Sequence, residues 1–282
     1  MIEAEFYKKI GNSVVKCELC PHACLVKDGF TGFCRVRQNV NGKLYSKSWG
    51  KISGINVDPI EKKPLKRFFK GSKIFSIGSV GCNMKCAFCQ NSSISQDDQF
   101  SLFLSPKELC DKVLSSTDNL GIAFTYNEPI VNIEFILDVC DKLKDKSLKI
   151  VLVTNGLICL EPLEKLLNFV DAVNVDLKSF NEDFYLELGG NLDVVKKTIE
   201  KCSKICHVEV TTLIIPQKND TASEMSNLSN WLAAISCEIP LHLSRFFPSY
   251  KMKDKSPTKV ETLFQLQKIA EKKLKFVYLG NI

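Results

Sequence analysis

The residues with the greatest chemical potential gather in two short runs of cysteine. Cys82, Cys86 and Cys89 stand in GCNMKCAFCQN with C-x3-C-x2-C spacing. Three thiolates on one loop can ligate three irons of a four-iron cluster, leaving the fourth iron without a protein ligand. An open metal position is reactive, as it is in catalytic zinc sites. On the residues alone the alternative is a three-cysteine zinc site completed by a distant ligand. Gly81 permits a tight backbone turn, and Asn83 and Asn91 are turn formers.

Cys17, Cys20, Cys24 and Cys34 form the second run, C-x2-C-x3-C-x9-C, with Pro21, Gly29 and Gly32 supplying turns. Four soft ligands in so short a loop suit either zinc or a second iron-sulfur cluster, and spacing does not choose between them. His22 is an alternative to one cysteine. The remaining cysteines, at 110, 140, 159, 202, 206 and 237, are scattered. A total of thirteen is odd and makes a poor disulfide framework, so reduced metal-binding thiolates are the better reading.

Elements able to position these loops begin at Lys73. From there, short β-branched runs alternate with longer segments whose apolar residues recur every three and four positions. Strands are expected at 74–80, 121–126, 149–154, 172–177, 208–215, 241–246 and 276–279. Helices are expected at 106–115, 131–143, 162–168, 192–203, 222–235 and 258–272. This alternation predicts an α/β fold with a parallel sheet, curled into a partial or full TIM-like (β/α) barrel whose ligands sit at the carboxyl ends of the strands. Residues 1–70 lack the rhythm and read as a small cysteine-rich N-terminal metal-binding module, with the barrel domain at 71–282.

Several polar groups fall at those carboxyl ends. Thr125-Tyr126-Asn127-Glu128-Pro129 follows the second strand and Thr154-Asn155-Gly156 the third. In the fourth, alternation puts Asn174, Asp176 and Lys178 on one face, which suits a barrel mouth better than a packed core. Thr211, Thr212, His242 and Arg245 belong to the fifth and sixth. Both His207 and Cys140 lie on apolar faces and read as core.

The cysteine loop, with Phe88 before its last cysteine, resembles the radical S-adenosylmethionine (SAM) superfamily. That resemblance implies a [4Fe-4S] cluster on Cys82, Cys86 and Cys89, with the amino and carboxylate groups of SAM on the open iron. Reductive cleavage would then give methionine and a 5'-deoxyadenosyl radical for hydrogen abstraction. It also implies SAM contacts from Asn127, Glu128, Thr154 and Asn155. Asp176 and Lys178 match the Asp-x-Lys motif of enzymes that activate glycyl radical enzymes, with Lys178 near the SAM carboxylate and His242 near the adenosyl group or substrate. Two glycines common before Glu-Pro are absent. Val153 stands where some activators carry an acidic residue for a monovalent cation.

CELCPHACLVKDGFTGFCRVRQN, followed by Asp58 to Leu65 (DPIEKKPL), resembles the radical SAM member of the AmmeMemoRadiSam system, a relative of pyruvate formate-lyase activating enzymes. An electron donor such as ferredoxin or flavodoxin is implied, and either a partner protein as substrate or a substrate handled with companion proteins. Two further readings stay open: a glycyl radical enzyme activating enzyme, and a non-catalytic zinc-stabilised interaction protein.

Composition agrees with an ordinary soluble globular protein of 282 residues, 45% apolar and 25% charged. The start of the chain mixes acidic and basic groups with no apolar stretch behind them, and no run elsewhere is long enough to span a bilayer. A cytoplasmic protein without membrane contact is expected. Its net charge of +6 is spread along the chain and argues little for nucleic acid. Six Lys or Arg between Lys62 and Lys73, with Phe68 and Phe69, suit docking of an acidic partner or nucleic acid or, the better reading, a solvated loop over a buried aromatic pair.

Overall fold

A computed structural model describes residues 1–11, 13–97 and 101–282. Its centre is one eight-stranded sheet, built from β1 (Gly54–Pro59), β2 (Lys73–Gly78), β3 (Asn119–Phe124), β4 (Lys149–Thr154), β5 (Ala172–Asp176), β6 (His207–Ile214), β7 (Leu241–Arg245) and β8 (Val277–Gly280). From β2 to β8 every neighbour is parallel and follows chain order. The two edges, β1 and β8, are not hydrogen-bonded to each other, so the barrel is partial. Residues such as Val173, Val175, Val208 and Val210 are buried on both faces, as parallel strands covered by helices require.

Helices Pro106–Ser115, Ile133–Leu143, Leu160–Leu167, Leu192–Cys202, Ala222–Ile235 and Val260–Ala270 alternate with those strands. The first starts at a capping box, in which the Ser105 hydroxyl accepts from the Glu108 amide and the Glu108 carboxylate accepts from the Ser105 amide. Cys140 is buried on its helix, as the apolar stripe implied. At the foot of β3, a Cβ on Gly121 would lie 1.9 Å from the Lys149 carbonyl oxygen, so only glycine lets the two strands meet there.

Two three-stranded antiparallel sheets make the N-terminal module, one from Ile2–Glu3, Arg37–Val40 and Lys43–Ser46, the other from Tyr7–Lys9, Val14–Cys17 and Leu25–Lys27. Val15, Leu19 and Leu44 share a continuous core with barrel residues. A buried ion pair, Arg37 to Glu134 at 2.8 Å, ties the module to the helix after β3. Removing one partner of such a pair leaves an uncompensated buried charge, a loss of about 3–5 kcal/mol.

The boundary expected at residue 70 does not follow the hydrogen bonds. β1 pairs along its whole length with β2, and the next segment closes the barrel floor. There Ile60, Leu65 and Phe68 pack on Ile74, Ala123, Val151 and Ala172. Of the expected buried aromatic pair, Phe68 is buried and Phe69 is exposed.

Candidate active site

A cavity of about 330 Å3 opens at the carboxyl ends of the strands. Cys82, Cys86, Phe88 and Cys89, on the loop after β2, form one side of it. Asn127, Glu128, Asn155, Asp176 and Lys178 enter from the loops after β3, β4 and β5. Nine residues expected from spacing and resemblance are thus brought together. Thr154 is not among the lining residues; its hydroxyl donates to Glu128 Oε1 at 2.7 Å, so it acts behind the carboxylate.

The cysteine loop is pinned from several directions. Asn83 donates to the Leu157 carbonyl at 2.7 Å and accepts from Asn155 Nδ2 at 2.9 Å, while Asn155 Nδ2 also reaches Cys82 Sγ at 3.8 Å. Lys251 N donates to the Ala87 carbonyl, and Lys85 N to that of Leu188. Cys89 Sγ lies 3.1 Å from the Ser95 hydroxyl. Gly81 has φ of +90°, and a Cβ there would stand 2.7 Å from Val36, so glycine is needed both for the turn and for the close approach of the N-terminal module.

Burial pushes the Cys82 thiol well above its usual pKa, with Glu128 adding to the rise. Burial takes Cys86 up to about 11, against the opposing pull of the Lys178 ammonium. Thiols held protonated in this way release their protons when a metal replaces them. Among the described residues no three His, Cys, Asp or Glu converge on a point suited to a single ion. A four-iron cluster asks for something different, one thiolate per iron around a cube, and the donor set of three thiols on one cavity wall fits that group.

Lys178 Nζ donates to Asp176 Oδ2 at 2.7 Å. Burial alone would lower the pKa of Lys178, but Asp176 and the nearby Cys86 outweigh it and hold the ammonium charged. Glu128 accepts from Ile130 N, the Thr154 hydroxyl and Asn155 N. Burial still pushes its pKa up to about 7, because those donors only partly offset desolvation.

His242 is placed elsewhere. It points into the barrel one layer below the cavity, and its Nε2 lies 2.6 Å from Glu209 Oε2. Glu209 also pairs with His207 Nε2 at 3.0 Å and accepts from the amides of Lys66 and Arg67. His242 is absent from the cavity lining, and its ring is held in the Glu209 network. His207 joins the same network and packs against Phe68, ring centroids 5.3 Å apart.

In the N-terminal module, Cys17, Cys20 and Cys34 are buried. Burial raises the Cys20 thiol to about 12, and Cys17 and Cys34 are close enough to add to that. His22 spends its Nε2 on the Asn83 carbonyl at 2.8 Å and stacks on Phe33, so it connects the module to the cysteine loop of the barrel.

The residues 76–232 match the family model of the Radical SAM superfamily, more than half of the chain. The chain belongs to the radical SAM superfamily. It is an enzyme, and its cofactors are those of the superfamily, a [4Fe-4S] cluster and SAM. An uncharacterised protein of Methanocaldococcus jannaschii is 39% identical over the whole chain, which spans 86% of that relative. A putative glycyl-radical enzyme activating enzyme of the same organism is 28% identical over 54% of this chain and 62% of its own. In fold, the chain is similar to a radical SAM methyltransferase of Sphaerobacter thermophilus, with a TM-score of 0.55 at 15% identity over 74% of this chain and 70% of that one. No helix among the described residues is long and apolar enough to cross a membrane.

Sequence reasoning missed part of the cavity's lining. Lys62, Lys63, Tyr126, Ser244 and Asn281 line the cavity too. Lys63 sits between Ile60 and Leu65, both wholly buried, and that apolar flanking was the available signal that its side chain turns inward.

Proposed function

We propose that this radical SAM enzyme removes a hydrogen atom from a substrate held in the cavity at the barrel mouth. The observation that carries the reading is the meeting of three loop thiols with Asp176, Lys178, Glu128 and Asn155 on one enclosed surface. Cys82, Cys86 and Cys89 would hold the [4Fe-4S] cluster. That cluster, once reduced by a donor such as ferredoxin or flavodoxin, supplies reductive cleavage of SAM to methionine and a 5'-deoxyadenosyl radical. Lys178, held charged beside Asp176, receives the carboxylate of SAM, and Glu128 its ammonium, each by a charge-assisted hydrogen bond. Asn155 fixes the loop on which Cys82 stands. Phe88, on the same loop, lines the cavity and packs against Phe184.

Cys17, Cys20, Cys24 and Cys34 hold a second metal centre in this reading. Four thiols in one short run suit zinc or a second iron-sulfur cluster, and metal analysis decides between them.

The Asp176-Lys178 pair and the similarity to an activating enzyme support a more specific reading, in which the hydrogen is taken from a glycine of a partner protein. Anaerobically purified protein is expected to be brown, to bleach with dithionite and to release 5'-deoxyadenosine from SAM. Iron and sulfide analysis should give about eight of each per chain for two clusters and about four for one. Colourless protein containing only zinc would overturn the enzyme assignment of this cavity.

A further inference from the structure

The part of the cavity lined by Lys62, Lys63 and Tyr126 is built with care that the fold does not require. Lys63 is buried to 2% exposure, and its Nζ donates to Asp58 Oδ2 at 2.7 Å. The Tyr126 hydroxyl donates to the same oxygen at 2.7 Å and accepts from Asn56 Nδ2 at 3.1 Å. Lys63 Nζ also lies 4.6 Å from the centroid of the Tyr126 ring, within cation-π range. Lys62 Nζ stands 3.6 Å from the other Asp58 oxygen and is 68% exposed.

Tyr126 is held in a costly conformation to reach this place. Its φ is +71°, in the left-handed region that non-glycine residues avoid. The ring rests on Gly78, where a Cβ would come within 2.9 Å of it. Strain of this kind persists where the surroundings over-determine it, and it clusters at functional sites. The strand pairing of β1 with β2 is complete without any of these side chains.

Charge then says what the wall can receive. Asp176 and Lys178 cancel each other on the cluster side, and Glu128 there faces the ammonium of SAM in the reading above. Around Tyr126 two lysines face one aspartate, leaving one positive charge in excess. Bound SAM carries a sulfonium as well, so a cationic substrate would be repelled and an anionic one drawn in.

We propose that Lys62 and Lys63, oriented by Asp58 and Tyr126, receive an anionic group on the substrate, a carboxylate or a phosphate. This rests on the reading above only in placing cluster and SAM at Cys82, Cys86 and Cys89 of the same cavity.

The test uses iron-sulfur-replete protein saturated with SAM, so that Lys178 is already engaged. Acetate and inorganic phosphate are titrated separately by calorimetry at constant ionic strength. Binding is expected for at least one, and which one identifies a carboxylic acid or a phosphorylated substrate. Lys62→Gln should weaken it by about 10- to 100-fold, the loss of one charged hydrogen bond. Because Lys62 is exposed, that variant keeps the fold even if Lys63→Gln does not. The proposal is overturned if neither anion binds, if Lys62→Gln binds as tightly as the unaltered protein, or if a neutral glycyl peptide binds and the anions do not. The change that SAM makes in the EPR spectrum of the reduced cluster is recorded on the same preparation. Loss of that change sinks the enzyme reading, whereas its presence without anion binding sinks only the anion site.

Discussion

Glu128 and Glu209 are both buried inside the same barrel, yet their environments push them in opposite directions. Glu209, in the floor, faces two histidines and two backbone amides; burial would raise its pKa, but the bonds from His207, His242, Lys66 and Arg67 bring it down to about 2. Glu128, at the mouth, has amides and a hydroxyl for partners and no cation, and burial carries it up to about 7. The floor is a closed network with its charge matched from within. At the mouth Glu128 and the thiols of Cys82 and Cys86 are held above their usual pKa by burial, which suits a site for a metal cluster and a sulfonium ligand.

The largest expected effect separates the mouth from ordinary core. Cys86→Ala should abolish 5'-deoxyadenosine formation and bleach the cluster signal of that site, because an iron would lose its protein ligand. Cys140→Ala, on the helix after β3, should leave cleavage intact and cost about 1 kcal/mol of stability, read by denaturant midpoint. Equal losses in the two variants would mean that the cavity thiols are structural, and the contrast would fail.

Next in size is the floor. Glu209→Ala orphans two amides and two imidazoles, and should lower unfolding free energy by about 3–5 kcal/mol. If the variant still folds, its SAM cleavage per bound cluster should be close to that of the unaltered protein, since the network lies beneath the cavity. A large fall in cleavage with little loss of stability would restore His242 to the reaction.

The parallel strands and their helices were legible in the sequence because each carries its own period, and tertiary packing reinforced what each already preferred. β1 was not, since GINVDP mixes Gly, Asn, Asp and Pro, residues that an edge strand tolerates but that give no strand signal. The N-terminal strands are two to four residues long, too short for any alternation to register. At the site, spacing and resemblance named nine residues that share one cavity lining, while His242 lies outside that lining, since strand alternation gives the face of a side chain but not its depth in the barrel. Tyr126 was missed because a left-handed φ at a tyrosine leaves no mark in the sequence, and Lys63 because a run of lysines reads as solvated surface.

The finest test of the contrast is its pH dependence, measured on metal-free protein so that the thiols carry no iron. For Glu209 the folded pKa lies below the unfolded value of 4.5, so its contribution is complete above pH 4.5 and is lost as the pH falls toward 2. For Glu128 the folded pKa lies above it, so stability is greatest below pH 4.5 and declines as the pH rises through about 7. Each limb is worth about 3 kcal/mol at its full extent, from shifts of that size at about 1.4 kcal/mol per unit. Glu128→Gln, which keeps the shape and removes the charge, should flatten the limb between pH 4.5 and 7 and leave the acid limb as it was. The same variant should bind SAM about 10- to 100-fold more weakly, having lost a charged partner for the ammonium. A limb that survives the substitution would show that Glu128 is already paired in the absence of ligand, and mouth and floor would then differ in position but not in kind.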